Sequence, residues 1–413
     1  MTTALEDSPD ECHGRCFGFE GERSTWGPPQ VVLSSDAQAR PGYDSMSASE
    51  YVDLDDVFKA KVRVLAKLVQ QAQFRIVYSG AGLSTAAGID DYASRAEGST
   101  REASPVISAG ALGAMNSSYR SPFCAQPTEA HRALVAMYQA GLLQHWVNQN
   151  HDGLPQKAGL PQHSINEIHG AWHAPDNPVV PMTGELREDL ISELRAMQQR
   201  ADFVIAAGTS LCGMNADSLV AVPSERACAA EAGQLGVVIV GLQRTSHDAN
   251  TTLRIFSRCD DVFRELAREL GVDVPPPLPE GEFFVPSALA GFGDDDCVFD
   301  GIPYNAAGCR ATEETISLDL RDGAELVITG GMHTGAVGEL DGRDREGNFR
   351  CRFRLKPKTG KLRAPVAMLL GRWWVQAAVD GTVPRLPLVN KPPETASGQP
   401  VEQLRARMQA YAQ

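Results

Sequence analysis

Residues 74–92 read FRIVYSGAGLSTAAGIDDY, and this stretch decides the fold. Residues 74–78 are a short, mostly apolar run, and Ser79 leads from it into Gly80-Ala81-Gly82-Leu83-Ser84, with Gly88 further on. A strand that breaks into such a turn has the form of a phosphate-binding loop. Glycines let backbone amides approach a pyrophosphate, and a following helix N-terminus adds a favourable dipole. Upstream, Val57, Val62, Leu65, Leu68 and Val69 recur at helical spacing within residues 53–73, with Lys59, Lys61, Arg63 and Lys67 between them. Helix, strand and glycine turn, in that order, open a doubly wound α/β domain.

The same alternation runs on to Gly271. Helices are predicted over residues 130–143, 189–200 and 259–270, and strands over 143–147, 203–207 and 236–240. Continuous apolar strands separated by helices predict a parallel sheet covered on both faces. Ligands of such sheets sit outside the carboxyl ends of the strands. The polar clusters 149–153 (QNHDG) and Gly208-Thr209-Ser210 fall at those ends.

Outside this region the pattern changes. Residues 1–50 have no sustained period and read as an N-terminal tail, followed by the α/β domain at 51–273. Pro275-Pro276-Pro277 marks a proline-rich linker over 274–284. A β-rich accessory domain is expected at 285–395, with strands at 315–320, 324–329, 337–340, 348–355 and 373–379 between Asp-Gly and Gly-Gly turns. Its residues 323–353 loosely resemble a KOW-type segment of an SH3-like barrel. Residues 396–413 form a C-terminal tail, with a terminal helix expected over 401–413.

A net charge of −14 argues against whole-surface attraction to DNA, RNA or anionic lipid. No apolar run approaches the roughly 18 residues of a membrane helix. The acidic, polar start lacks the features of a signal peptide, so an intracellular protein of nucleus or cytoplasm is expected. The nine cysteines are dispersed without a CxxC pair, which suits free thiols in a reducing compartment. Cys12, His13 and Cys16 are close enough in sequence to share a metal, but a disordered tail is their expected setting, so no metal is assigned there.

Five ordered segments carry a family resemblance. Residues 80–92, GAGLSTAAGIDDY, resemble the sirtuin signature GAGxSxxxGIPDF. Gln149-Asn150-His151-Asp152-Gly153-Leu154 with Ala158-Gly159 resembles QNxDGL…AG, and Glu167-Ile168-His169-Gly170 resembles the E-hydrophobic-HG segment. Gly208-Thr209-Ser210-Leu211 matches GTSL. Leu253-Arg254-Ile255 with Cys259-Asp260-Asp261-Val262 resembles the closing LRI…CDDV, nearest the branch of human sirtuins six and seven.

The resemblance implies a Rossmann-like domain that uses NAD as co-substrate to deacylate protein lysines, yielding nicotinamide and O-acyl-ADP-ribose. It implies that Gly80, Ala81, Gly82 and Ser84 hold the pyrophosphate. Ile89 and Asp91 would lie against the nicotinamide, Tyr92 would also bind the cofactor, and Gln149, Asn150 and Asp152 would order the nicotinamide ribose and its pocket. Gly208, Thr209 and Ser210 would contact the adenosine half, with Gln243 and Cys259 where the family's chain passes the adenine. His169 would be the general base, a role that a neutral imidazole suits at cellular pH. His131 and His151 are read as helix-packing and loop residues.

Four departures stand beside the match. The family's structural zinc rests on two CxxC pairs, whereas residues 171–183 (AWHAPDNPVVPMT) contain no cysteine. No zinc is therefore expected, and a shortened proline-rich loop, packed by Trp172, replaces its module. The family's Pro-Asp-Phe-Arg becomes Asp90-Asp91-Tyr92-Ala93, leaving Arg95 as the substitute phosphate arginine. Gly241 replaces an adenosine-contacting Asn, and the interval 184–201 is too short for the usual peptide-clasping strand.

An ADP-ribosyltransferase or NAD hydrolase needs no such clasp and is the alternative. A non-catalytic NAD-sensing scaffold is the second. In the accessory domain, Arg350, Arg352, Arg354, Lys356 and Lys358 alternate with Cys351, Phe353 and Leu355 and place five charges on one strand face. That face suits a nucleic acid or an acidic protein, or is simply solvated.

Overall fold

The structure is a computed structural model and describes residues 8–39, 46–89, 122–181, 184–293, 296–355 and 365–392. The chain divides into two compact units. The first comprises Met1–Asn150, Ser164–Ile168 and Glu188–Pro277, and the second His151–His163, His169–Arg187 and Leu278–Gln413.

The first unit begins with two short helices, α1 (Pro9–His13) and α2 (Glu20–Arg23). An antiparallel pair follows, β1 (Gln30–Leu33) with β2 (Glu50–Val52). Next come α3 (Asp55–Gln71), β3 (Arg75–Ser79), α4 (Glu129–Gln139) and β4 (His145–Asn148). A short helix of the second unit, α5 (Leu154–Lys157), intervenes before β5 (Ile165–Glu167). The first unit is completed by α6 (Glu188–Arg200), β6 (Phe203–Ala207), α7 (Ser218–Cys228), β7 (Gly236–Val240), β8 (Leu253–Ile255) and α8 (Cys259–Leu270).

Six strands form one parallel sheet in the order β5-β4-β3-β6-β7-β8. This is the Rossmann order, and it places the topological switch point between β3 and β6. Every residue of β6 and β7 is buried, as strands covered on both faces must be. The helices supply the cover: α3 and α4 pack on α8, and α6 packs on α7. Helix α8 buries Val262, Phe263, Leu266 and Ala267 and ends where Gly271 turns left-handed at φ +67°.

Two features differ from the sequence reading. The lead-in read as a tail is folded against the sheet's last strand region. Ser8 caps α1, Arg15 N and Cys16 N donate to the carbonyls of Thr251 and Thr252 at 2.8 and 2.7 Å, and Cys12, His13 and Cys16 are buried. Burial pushes the Cys16 thiol up to about 12. Periodicity could not show this docking, because the partners lie some 235 residues downstream. Helix α7 was also missed, since Pro223 sits inside it.

A buried ion pair fixes the lead-in. Lys61 Nζ donates to Asp53 Oδ1 at 2.6 Å and to the Cys12 carbonyl at 3.1 Å, while Asp53 Oδ2 accepts from Phe256 N at 2.9 Å. Both side chains of the pair are fully buried.

In the second unit, β9 (Val298–Ile302) pairs antiparallel with β10 (Ile316–Asp319). Five further elements build a second antiparallel sheet: β11 (Glu325–Ile328), β12 (Val337–Arg343), β13 (Phe349–Phe353), β14 (Val366–Leu370) and β15 (Leu388–Asn390). Its order is β14-β13-β12-β11-β15, a meander whose last strand returns beside its first. Such an order is compatible with the small barrel expected from the sequence. The alternation in β13 is as read, with Phe349, Cys351 and Phe353 buried and Arg350 and Arg352 exposed.

Residues 373–379, expected as a strand, instead form α9 (Trp373–Val379). Their period-2 burial imitates a strand, but the paired alanines favour helix, and Gln376 Oε1 accepts from Ser287 Oγ and Ala288 N at 2.8 Å each. The terminal helix expected over 401–413 lies outside the described residues.

Removing one partner of the Lys61–Asp53 pair strands a buried charge, so Asp53→Ala should cost about 3–5 kcal/mol in urea unfolding. A loss below about 1 kcal/mol would count against the pair. His13 gives a second test. Burial, then the charges of Lys61 and Arg23, lowers its pKa to about 3. The unfolded chain binds the proton near pH 6.5, so stability is complete above that pH and falls as pH drops toward 3, by about 1.4 kcal/mol per unit. His13→Gln should flatten the decline in melting temperature between pH 7.5 and 5; an unchanged decline contradicts the assignment.

Candidate active site

The first unit's site residues gather at the switch point. Gly80 N donates to Ala207 O at 3.1 Å and Gly82 N to Gly208 O at 2.8 Å, so the turns after β3 and β6 are bonded backbone to backbone. A Cβ on Gly80 would lie 2.9 Å from the Thr209 Cβ, and one on Gly82 would lie 2.9 Å from the Gly208 Cα. On Gly208, whose φ is +61°, a Cβ would lie 2.3 Å from Leu83 N. The glycines thus allow close approach of two loops, and the Gly82 amide is already committed to one of them.

A ladder of side chains runs across the strand ends. Trp146 Nε1 donates to Ser79 Oγ at 2.7 Å, and Ser79 Oγ donates to Asn148 Oδ1 at 2.9 Å. Asn148 Oδ1 also accepts from Asn150 N at 3.1 Å. Asn150 Nδ2 then donates to Gly80 O and to the fully buried Ser84 Oγ, each at 3.0 Å. Gln149 Nε2 donates to Thr209 Oγ1 at 2.8 Å, joining the β4 and β6 ends. The structure therefore brings Gly80, Ala81, Gly82, Ser84, Gln149, Asn150, Gly208 and Thr209 into one cluster, with Ser210 next in the chain.

Ile89 is half-buried, and its N–H donates to Ser84 O at 3.4 Å. Gln243 spends its amide on Ala48 O at 3.4 Å, and Cys259 is buried at the start of α8. Asp91, Tyr92 and Arg95 lie outside the described residues.

Sequence reading missed the supporting residues. Ser79, Trp146 and Asn148 form the ladder's base, and polar side chains within buried strands were the available signal. Leu211 was quoted only as part of a motif, yet it is buried at φ +49°. A bulky residue held in that region stores about 1–3 kcal/mol of strain, a mark of functional turns.

In the second unit, Asp152 is buried, and its Oδ1 accepts from Leu154 N at 2.9 Å at the start of α5. His151 Nδ1 is 2.8 Å from Gly170 O, and Trp172 N donates to His151 O at 2.9 Å. Burial lowers the pKa of His151 and favours its neutral form. His151 is thus a bridge between two loops, more than the plain loop residue expected. His169 is half-buried, and its carbonyl accepts from Val180 N at 3.0 Å.

Residues 169–181 close into a tight loop, with Ala171 N bonded to Asn177 O at 2.8 Å and Arg187 Nη1 paired with Asp176 Oδ2 at 2.9 Å. Among the described residues, no group of three or more His, Cys, Asp or Glu side chains gathers as a metal-binding set. Arg350 and Arg352 both reach Asp341 Oδ2, at 3.0 and 2.6 Å, so their strand face carries its own counter-charge. Lys356 and Lys358 lie outside the described residues.

No family model matches the chain. Curated relatives do. The human NAD-dependent protein deacetylase sirtuin-7 is 29% identical over 273 residues, which is 55% of this chain and 64% of the relative. The Arabidopsis thaliana NAD-dependent protein deacetylase SRT1 is 27% identical over 265 residues, 55% of this chain and 53% of that protein. The Drosophila melanogaster NAD-dependent protein deacetylase Sirt6 is 33% identical over 137 residues, 32% and 41% of the two chains. The chain is similar to these sirtuins over about half of its length. It spans less than two thirds of the length of these sirtuins.

The loop contact makes opposite predictions at two glycines. Gly208→Ala combines a left-handed φ with a clash against backbone and should cost roughly 2–4 kcal/mol in chemical unfolding. A Cβ on Gly241 meets nothing within 4 Å, so Gly241→Asn should unfold within about 0.5 kcal/mol of the unmodified chain. If the two substitutions proved equally costly, the close approach of Gly82 and Gly208 would not be the constraint.

Proposed function

We propose that this protein is a sirtuin-type NAD-dependent protein-lysine deacylase that releases nicotinamide and O-acyl-ADP-ribose. The observation that carries this reading is the ladder from Asn150 to Gly80 O and Ser84, with Gln149 on Thr209, at the switch point of a Rossmann-ordered sheet. Gly80, Gly82 and Gly208 let the turns after β3 and β6 pack together at the carboxyl ends of the strands, where ligands of such sheets sit. The names of the relatives supply the reaction class.

NAD contributes an electrophilic ribose carbon with nicotinamide as its leaving group. Asn150 spends both Nδ2 protons within the ladder, which fixes its amide plane and presents Oδ1 as an acceptor for a ligand hydroxyl. Asp152, anchored on Leu154 N, adds a buried carboxylate. His169 is the base that takes a hydroxyl proton as the acyl group moves to the sugar.

A second reading has one specific observation behind it. Described residues 184–187 lead directly into α6 at Glu188, and none of them is in a strand. ADP-ribosyl transfer or NAD hydrolysis needs no peptide-clasping strand. The arginine strand is a poor match for nucleic acid or an acidic protein, because either would have to displace Asp341. A shift assay with the full chain at low salt checks that surface.

Incubation with NAD and acylated peptides, following nicotinamide, acyl-ADP-ribose and labelled protein, separates these readings. Acyl-ADP-ribose that falls by about 10²–10⁴-fold in His169→Ala is the expected result. Nicotinamide without peptide indicates hydrolysis, and labelled protein indicates transfer. Absence of NAD consumption under every condition would sink the enzyme reading.

A further inference from the structure

The second unit contains two loops from within the α/β region and the whole C-terminal domain. Lys157, the last residue of α5, places Nζ 2.6 Å from Glu346 Oε2, and the two side chains are only 3% and 2% exposed. Glu346 sits in the turn between β12 and β13, and that turn is built before it meets Lys157. Glu346 N and Asn348 N each donate to Asp344 Oδ1 at 2.9 Å, and Asn348 Nδ2 donates to Asp344 Oδ2 at 2.9 Å. Arg372 adds a hydrogen bond from its guanidinium to the Glu346 carbonyl.

A second contact lies at the other end of α5. Gly153 has φ +69°, and a Cβ there would stand 3.0 Å from both His173 Nδ1 and the Trp373 ring. The His173 and Trp373 rings are 5.1 Å apart, and Gly371 N donates to His173 O at 2.9 Å. A third contact holds the next loop, because a Cβ on Gly331 would be 1.9 Å from Asp176 O. Asp152 is anchored on the first turn of α5, and Glu346 grips its last residue.

We propose that Lys157 and Glu346 are positioning residues that set Asp152 through α5, so that the C-terminal domain governs a site residue of its own unit. This rests on the reading of Asp152 as a site residue. The four-residue α5 is too short to be stable alone, so its placement must come from tertiary contacts. A buried pair resists the small displacement that apolar packing tolerates, and a shift of about 1 Å at a reacting group costs on the order of 10²-fold in rate.

The test uses the full chain as Glu346→Gln, Lys157→Met and the double variant Lys157→Met/Glu346→Leu. Hydrogen exchange should quicken by about tenfold or more at the amides of Lys157 and Ala158 in the single variants, with β6 unchanged. The kcat for nicotinamide release should fall by about tenfold or more while KM for NAD stays within about twofold. The double variant leaves no orphan charge, so its melting temperature should recover while kcat stays low.

Unchanged exchange at Lys157 and Ala158 overturns the proposal, as does a kcat that recovers together with the melting temperature. Should the single variants fail to fold, the double variant decides. An unmodified chain that releases no nicotinamide refutes NAD cleavage instead, and the exchange comparison still judges the tether.

Discussion

At the centre of the parallel sheet, the turns that follow β3 and β6 meet backbone to backbone, with Gly82 N bonded to Gly208 O at 2.8 Å. No side chain fits between them, since a Cβ on Gly208 would lie 2.3 Å from Leu83 N. Much of the first unit's site follows from that approach. It seats Gly80 where its carbonyl can accept from Asn150, and it puts Thr209 within reach of Gln149. In the usual account of a glycine-rich turn, the glycines admit a phosphate. Here the second glycine's amide is spent on the neighbouring loop, so the turn is first a packing device that makes the cradle.

How much of this was legible follows from the range of the interactions. Strands β6 and β7 were read to the residue, because unbroken apolar runs report burial on both faces. Helix α8 was legible for the same local reason, with an apolar stripe and a glycine at its end. The clusters at the strand ends were visible as motifs, and the structure joins most of them by hydrogen bonds. What failed was set by distant partners. Residues 373–379 bury alternate positions yet coil into a helix, and α7 tolerates Pro223 because its packing on β6 and β7 outweighs the break. Helix α1 and the turn after it are held by Thr251, Thr252 and Lys61, none of which a local window contains.

The loss of the cysteine pairs has a structural counterpart in the second unit. Residues 171–183 offer no thiolate, so whatever fixes the loops bearing Asp152 and His169 must come from elsewhere in the chain. A structural zinc concentrates about 10–16 kcal/mol in four bonds. In the second unit these loops are held by many weaker contacts: Lys157 on Glu346, Trp373 against Gly153 and His173, Gly331 under Asp176, and Arg187 on Asp176. Distributed packing of this kind couples two short loops to a whole domain. A domain read as an accessory in the linear sequence is thereby packed against the loops that bear Asp152 and His169.

The buried charges follow a common logic. Lys61 with Asp53, Arg254 with Asp248 and Lys157 with Glu346 are all almost wholly buried pairs. Buried pairs add little net stability over apolar residues of equal volume, because desolvation offsets most of their attraction. Each ties a regular element to an irregular segment, Lys61 from α3, Arg254 from β8 and Lys157 from α5. Lys61 also grips the Cys12 carbonyl, Arg254 also grips the carbonyls of Gly241 and Gln243, and Glu346 closes on the end of α5. A directional bond to one atom specifies which atoms meet, whereas the hydrophobic contribution is non-directional and scales with area.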